Sequence, residues 1–139
     1  MIYVVDDGAD YRFLLQQVFS RFLPDLRVRF FESGDALSQH MLSDSSNPVP
    51  AGHPALIIMD LNMPGLSGFQ TLVLLRQQPI WKQVPVVMMT SEGSEEEIEQ
   101  CYKAGANSFV FKPTEFMGLI SAITDICHYW TNLNQRTYS

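Results

Sequence analysis

The 139-residue sequence is poor in cysteine, histidine and positive charge, and each shortage closes off a class of function. Nine lysines and arginines face fifteen aspartates and glutamates, for a formal charge of −6 and a pI near 4.8. Non-specific attraction to nucleic acid or to an anionic membrane surface is therefore disfavoured. No apolar run approaches the roughly 18 residues of a membrane span. The opening Met1-Ile-Tyr-Val-Val-Asp6-Asp7 lacks the basic stretch of a secretory signal, so a cytoplasmic protein is expected. Three histidines, His40, His53 and His128, are scattered without metal-ligand spacing, which argues against zinc. Cys101 and Cys127 both fall in apolar helical patterns and are expected to be buried, reduced thiols. Internal repeats and low-complexity tails are absent.

What is present is a hydrophobic fraction of 46% in a length that suits one domain. Short apolar runs alternate with amphipathic stretches. Ile2–Val5, Val28–Phe31, Ala55–Met59, Val86–Met89 and Ser108–Phe111 read as strands. Between them, Tyr11, Leu14, Leu15, Val18, Phe19 and Phe22 recur at helical spacing until Pro24. Ser33 caps a short helix, Ser67 caps one with Phe69, Leu72, Val73 and Leu75 inward, and Ser94 with Glu97 forms a capping box. That last helix stops at Ala104-Gly105. The final helix presents Phe116, Leu119, Ile120, Ile123 and Ile126 on one face, with an extension toward Trp130. Residues 43–54 have turn composition and read as a long loop, and Pro79 and Pro85 bracket a connector holding Trp81. Five strands separated by helices predict an α/β, doubly wound (βα)₅ sandwich of flavodoxin-like type, a five-stranded parallel sheet of order 2-1-3-4-5.

Four of the five strands end in a residue able to do chemistry: Asp6 and Asp7, Asp60, Thr90, and Lys112. In a doubly wound sheet these ends share one edge, where ligands bind. The predicted order puts Asp60 centrally, with Asp6 and Asp7 on the neighbouring strand about 4.8 Å to one side and Thr90 as far on the other. Three carboxylates in one crevice call for a proton or a cation. An all-oxygen ligand set that leaves room for water favours Mg²⁺. Asp60 is then the natural nucleophile for an acyl phosphate. Lys112 would hold a phosphoryl oxygen, the Thr90 hydroxyl another, and the N–H groups of Leu61 and Ser91 would complete a cradle.

With Met63-Pro64-Gly65, Ser91 and Pro113 added, these residues resemble a response-regulator receiver domain over about residues 1–128. The resemblance implies that Asp60 accepts a phosphoryl group from a histidine kinase or a histidine phosphotransfer protein. It implies Mg²⁺ ligation by Asp7, Asp60 and the main-chain carbonyl of Asn62, with Asp6 acting through water. Thr90 would move toward the phosphoryl group and Phe109 would swing inward. Asn62 and Glu92 flank the site where the family tunes phosphoryl lifetime, and the Lys112-Pro113 bond is often cis in this family. The 43–54 loop, the Trp81 connector and His128-Tyr129-Trp130 look like the single-domain phytochrome-type subgroup.

Residues 129–139 are too few to fold as an output domain, so binding to an unidentified protein is the expected output. Tyr129 and Trp130 are read either as core-edge aromatics or as a partner or homodimer surface. The chain is expected to be a phosphoacceptor switch and not an enzyme acting on other molecules. Three rivals are set against this. A hydrolase would want an acid or base where Asn62 stands, a flavodoxin-like carrier would want a phosphate loop in place of Asp6-Asp7-Gly8-Ala9-Asp10, and a pseudo-receiver would lack one of the acidic, Thr or Lys positions.

Overall fold

The computed structural model describes residues 1–44 and 53–135. Five parallel strands form one sheet of order β2-β1-β3-β4-β5: β1 Ile2–Val5, β2 Val28–Phe31, β3 Leu56–Met59, β4 Val86–Thr90 and β5 Ser108–Phe111. The helices are α1 Ala9–Phe22, α2 Gly34–Asp44, α3 Gly68–Gln77, α4 Glu95–Ala104 and α5 Phe116–His128. A 3-10 turn at Trp81–Gln83 precedes β4, and a π-helical turn, Tyr129–Leu133, extends α5.

Period-two alternation along the strands sorts the core into two layers. Tyr3, Val5, Ile57, Met59, Val86 and Met88 face one side, with Leu37, Met41, Leu72, Leu75, Trp81 and Cys101 from α2, α3, the 3-10 turn and α4. Ile2, Val4, Leu56, Ile58, Val87 and Met89 face the other, with Leu15, Val18, Phe19, Leu119, Ile123 and Cys127 from α1 and α5. Every residue of β1, β3 and β4 is buried, which is why those strands read as unbroken apolar runs. Register pairs Val5 with Met59 and Met59 with Met88, so the strand ends arrive together at one edge.

Local signals act as expected at α3 and α4. Ser67 and Ser94 accept from the N–H of Gln70 and Glu97 in reciprocal capping boxes, and Gly105 closes α4 at φ 110°. Other expectations need correction. Ser43 and Asp44 belong to α2 and not to a loop, while 45–52 of that expected loop lie outside the described residues. Leu14, Phe22 and Phe116 are exposed, because α1 and α5 each bury a stripe narrower than their apolar periodicity. The Lys112–Pro113 bond is trans, the lower-energy state of an X–Pro bond. The aromatic pair at the end of α5 divides: Trp130 packs against the α1/α5 layer, whereas Tyr129 is exposed.

Candidate functional site

The turn after β1 is built around Asp6. Its Oδ1 accepts the Gly8 N–H at 2.8 Å, and its main-chain carbonyl accepts Arg12 Nη1 at 2.7 Å. That leaves Oδ2, which pairs with Lys112 Nζ at 2.7 Å. Lys112 also reaches Asp60 Oδ2 at 3.1 Å, spanning the width of β4 with its side chain only 11% exposed. Asp7 is exposed, and no hydrogen bond or ion pair engages its carboxylate among the described residues. One oxygen from each of Asp6, Asp7 and Asp60 falls within 4.8 Å of the others.

Asp60 is held from behind. Its N–H donates to the Val5 carbonyl at 2.9 Å, and α3 begins directly against it. At Gly68 an added Cβ would lie 2.1 Å from the Asp60 carbonyl oxygen and 2.9 Å from Leu61 Cα, so a side chain there would collide with backbone. Gly65, at φ 74°, turns the chain between them with the Asp35 carboxylate where its Cβ would be. Asp35 Oδ2 also accepts the Leu66 N–H at 3.3 Å, so the start of α2 fastens this loop.

On the other flank Thr90 is buried at the end of β4, its hydroxyl donating to the Glu92 carbonyl at 3.1 Å. The Asn62 amide reaches toward the same segment, at 3.4 Å from the Glu92 carbonyl and 3.5 Å from Thr90 Oγ1. Phe109 is half-buried. Its ring lies against Gly93, where a Cβ would sit 2.9 Å from Phe109 Cζ. Leu61 is buried and Ser91 exposed, one beside each of the two strand ends. The structure thus gathers the sequence-predicted residues at one edge, with Phe109 one strand outward beyond Thr90.

The charges shape one another. Burial pushes the Asp60 carboxyl above its ordinary value; Lys112 pulls it down and Asp6 pushes it up again, leaving a net rise. Burial alone would lower the Lys112 ammonium, but the hydrogen bond and charge of Asp6, then those of Asp60, raise it overall. The result is a crevice of three carboxylates against one ammonium. Asp7 has no partner of its own there, and all the donors are oxygen. Such a set fits a hard divalent cation, whose charge would offset the excess of carboxylates.

Sequence reading missed several supports. Tyr11 counted only as part of the apolar face of α1, yet its ring carries Lys112 Nζ 4.3 Å from the centroid. The available signal was its place one helical turn after Asp7. Tyr102 on α4 accepts the Phe109 N–H through its hydroxyl at 3.1 Å, closing a backbone donor on the edge strand. His40 and His53, distant in sequence, both border Trp81, with ring centroids 6.3 and 4.9 Å away.

Comparison with known proteins places this arrangement. The profile of the response regulator receiver domain matches residues 2–124. Two-component response regulator ARR15 of Arabidopsis thaliana is 32% identical over 117 residues, covering 82% of this chain and 56% of that protein. The chain thus spans about half the length of that plant regulator. Response regulator Rcp1 of Synechocystis is 27% identical over 130 residues, covering 94% of this chain and 87% of its own. In fold, the chain superposes on the phosphorylated cyanobacterial phytochrome response regulator RcpA with a TM-score of 0.84 at 23% identity, over 99% of this chain and 97% of that one.

Proposed function

As this chain belongs to the response regulator receiver domain family, we propose that it serves phosphorelay signalling by taking a phosphoryl group from a phosphohistidine donor onto Asp60. The observation that carries this reading is the double engagement of Lys112, whose Nζ meets Asp6 Oδ2 at 2.7 Å and Asp60 Oδ2 at 3.1 Å across an intervening strand. A lysine fixed there leaves Asp60 as the central carboxylate, with a cation already beside the oxygen that would attack.

In the proposed step an Asp60 carboxylate oxygen bonds to phosphorus while the P–N bond to the donor imidazole breaks. The imidazole nitrogen leaves with the electron pair and takes up a proton. Lys112 turns its charge to a phosphoryl oxygen, and the Thr90 hydroxyl gives up the Glu92 carbonyl to bond a second. The N–H groups of Leu61 and Ser91 complete the cradle. Asp7, Asp60 and the Asn62 carbonyl would hold Mg²⁺, with Asp6 contributing through water; bound there, the ion neutralises charge on the carboxylates and the phosphoryl oxygens.

Movement of Thr90 toward the phosphoryl group would open space behind it. Phe109, whose ring rests on Gly93, would turn inward to occupy that space, changing the surface shown to a protein partner. A phenylalanine has no hydroxyl, so the message would be carried by shape. Asn62 and Glu92 would set how readily water reaches the acyl phosphate.

The test is intact mass after mixing with acetyl phosphate, with and without Mg²⁺. A gain of about 80 Da, one HPO₃, that requires Mg²⁺ and is lost at alkaline pH is the expected result for an acyl phosphate. Retention of the adduct in Asp60→Asn, or its absence with both acetyl phosphate and phosphohistidine donors, would overturn the assignment.

A further inference from the structure

We propose that Tyr11 is a positioning residue for the phosphoryl chemistry, its ring holding the Lys112 ammonium in the crevice; this rests on the reading of Lys112 as the cation that meets the phosphoryl group. Lys112 reaches the site from β5, the edge strand, and must extend across β4 to touch Asp60. Two carboxylates hold the end of that side chain, on the sheet side of the crevice. Tyr11 supplies a further contact from α1, with its ring centroid 4.3 Å from Nζ. The ammonium is largely removed from water, the condition under which the attraction between a cation and an aromatic face is strongest.

The ring, and not the hydroxyl, is the part of Tyr11 that acts. The phenolic oxygen is buried without a hydrogen-bond partner among the described residues, so the contact with Lys112 is made by the ring face, which phenylalanine would present equally without the cost of an unmet hydroxyl. An aliphatic side chain would fill the same space without that cost, but would offer Lys112 no negative face.

The contact gains importance once Asp60 carries the phosphoryl group as an acyl phosphate. The carboxylate that received Lys112 then loses its charge, and one of the two ionic anchors disappears. Tyr11 is unchanged by the reaction. It would keep the ammonium facing the site while Nζ shifts from Asp60 Oδ2 to a phosphoryl oxygen.

The experiment compares the native chain with Tyr11→Phe, Tyr11→Leu and a series carrying phenylalanines of increasing ring fluorination at position 11. Two measurements are made. One is the rate of Mg²⁺-dependent labelling by acetyl phosphate; the other is the ¹⁵N signal of the Lys112 ammonium in unphosphorylated protein, visible as a distinct peak only while that group is immobile and shielded from exchange. Tyr11→Phe is expected to label within about twofold of native and to retain the peak. Tyr11→Leu is expected to label about tenfold more slowly and lose the peak. Fluorination preserves ring size while draining its negative face, so rate and peak intensity should fall stepwise along that series. Equal rates and an unchanged peak across the fluorinated series would overturn the proposal, even if Tyr11→Leu failed to fold. Because the ammonium peak is read without phosphorylation, it decides the Tyr11–Lys112 contact even if the native chain never accepts label, an outcome that would count against Asp60 instead.

Discussion

Lys112 Nζ stands 3.1 Å from Asp60 Oδ2 although a complete strand separates the two backbones, and the same nitrogen is 2.7 Å from Asp6 Oδ2. One ammonium therefore serves two buried carboxylates, with a third, Asp7, close by and unserved. In the absence of a metal the site carries an excess of negative charge that the fold tolerates without benefit.

A stability consequence follows from that excess. The Asp60 carboxyl is raised above its ordinary value of 3.8, first by burial and then by the charge of Asp6, against the pull of Lys112. A raised carboxyl means that the folded state binds the proton more tightly than the unfolded state. Its contribution is complete below the ordinary aspartate value and is lost as pH rises through the raised one. Asp60→Asn should therefore raise the melting temperature of the metal-free protein at neutral pH. The gap over native should close as pH falls below 3.8. On the proposed ligation by Asp60, Mg²⁺ should stabilise the native chain more than the variant. Thermal melts at several pH values, with Mg²⁺ and with chelator, check all three expectations.

Gly68 makes the site sensitive to a single methyl group. An alanine Cβ would lie 2.1 Å from the Asp60 carbonyl oxygen, 2.9 Å from Leu61 Cα and 2.8 Å from Met88 Cε. The methionine tip can move, but two of the three neighbours are backbone. Gly68→Ala should lower stability by about 1–3 kcal/mol and displace Asp60 relative to Lys112. Denaturant melts measure the first effect and acetyl phosphate labelling the second. Native-like values for both would mean that α3 can slide away from β3 at little cost.

Much of this was legible in the sequence, and the reasons differ by element. β1, β3 and β4 announced themselves because burial on both faces demands uninterrupted apolar residues, and their polar ends fixed where the site lies. The edge strands β2 and β5 were found mainly by their place in the alternation, since neither is fully buried. The Ser67 and Ser94 boxes were readable because a cap is a contact among near neighbours. What stayed hidden was contact across the sheet. Tyr11 shares its helical stripe with Leu15 and Val18; its place one turn after Asp7 sets it near the site, but only the assembled fold lays its ring over a lysine a hundred residues later. The glycines at 65 and 68 read as turn and helix start. Their tightness is visible only once Asp35 and the Asp60 backbone are in place.

Arg76 was equally silent, and it does the most at the end of the sheet opposite the site. Its guanidinium donates to the Gly105 carbonyl from Nε at 3.1 Å and Nη2 at 2.7 Å, to the Val84 and Trp81 carbonyls from Nη1 at 2.8 and 3.2 Å, and to Asn107 Oδ1 from Nη2 at 3.1 Å. Burial lowers its pKa, yet the planar fork meets acceptors from two separate segments, the 3-10 turn with Val84 and the connection from Gly105 to Asn107. A lysine has neither the number nor the direction of donors to replace it. Arg76→Lys should cost about 2 kcal/mol in a denaturant melt while labelling at Asp60 proceeds as in the native chain. A loss below about 0.5 kcal/mol would show that water or a rearranged lysine satisfies those carbonyls.

The two cysteines give a probe of the helices that flank the sheet. Cys127, on α5, is fully buried in the layer that α5 shares with α1, and burial alone pushes its thiol up to about 12. Cys101 is raised as well, by burial and by the nearby charge of Glu97. Only a thiolate attacks a thiol reagent, so both groups should be inert in the native protein at pH 8 and react only as it unfolds. For Cys127 the linkage also has a definite sign. In the unfolded chain the thiol ionises near 9.0, whereas the folded chain retains the proton to about 12. Its stabilising contribution is therefore full below pH 9 and declines as pH climbs toward 12, by at most about 1.4 kcal/mol per pH unit. Cys127→Ala should begin less stable, because it leaves a cavity, but lose stability less steeply over that interval. Reagent uptake measured against urea concentration, beside alkaline melts of the native chain and the variant, tests both expectations. Rapid modification of Cys127 at pH 8 without denaturant would mean that α5 opens locally far more often than its packing against α1 allows.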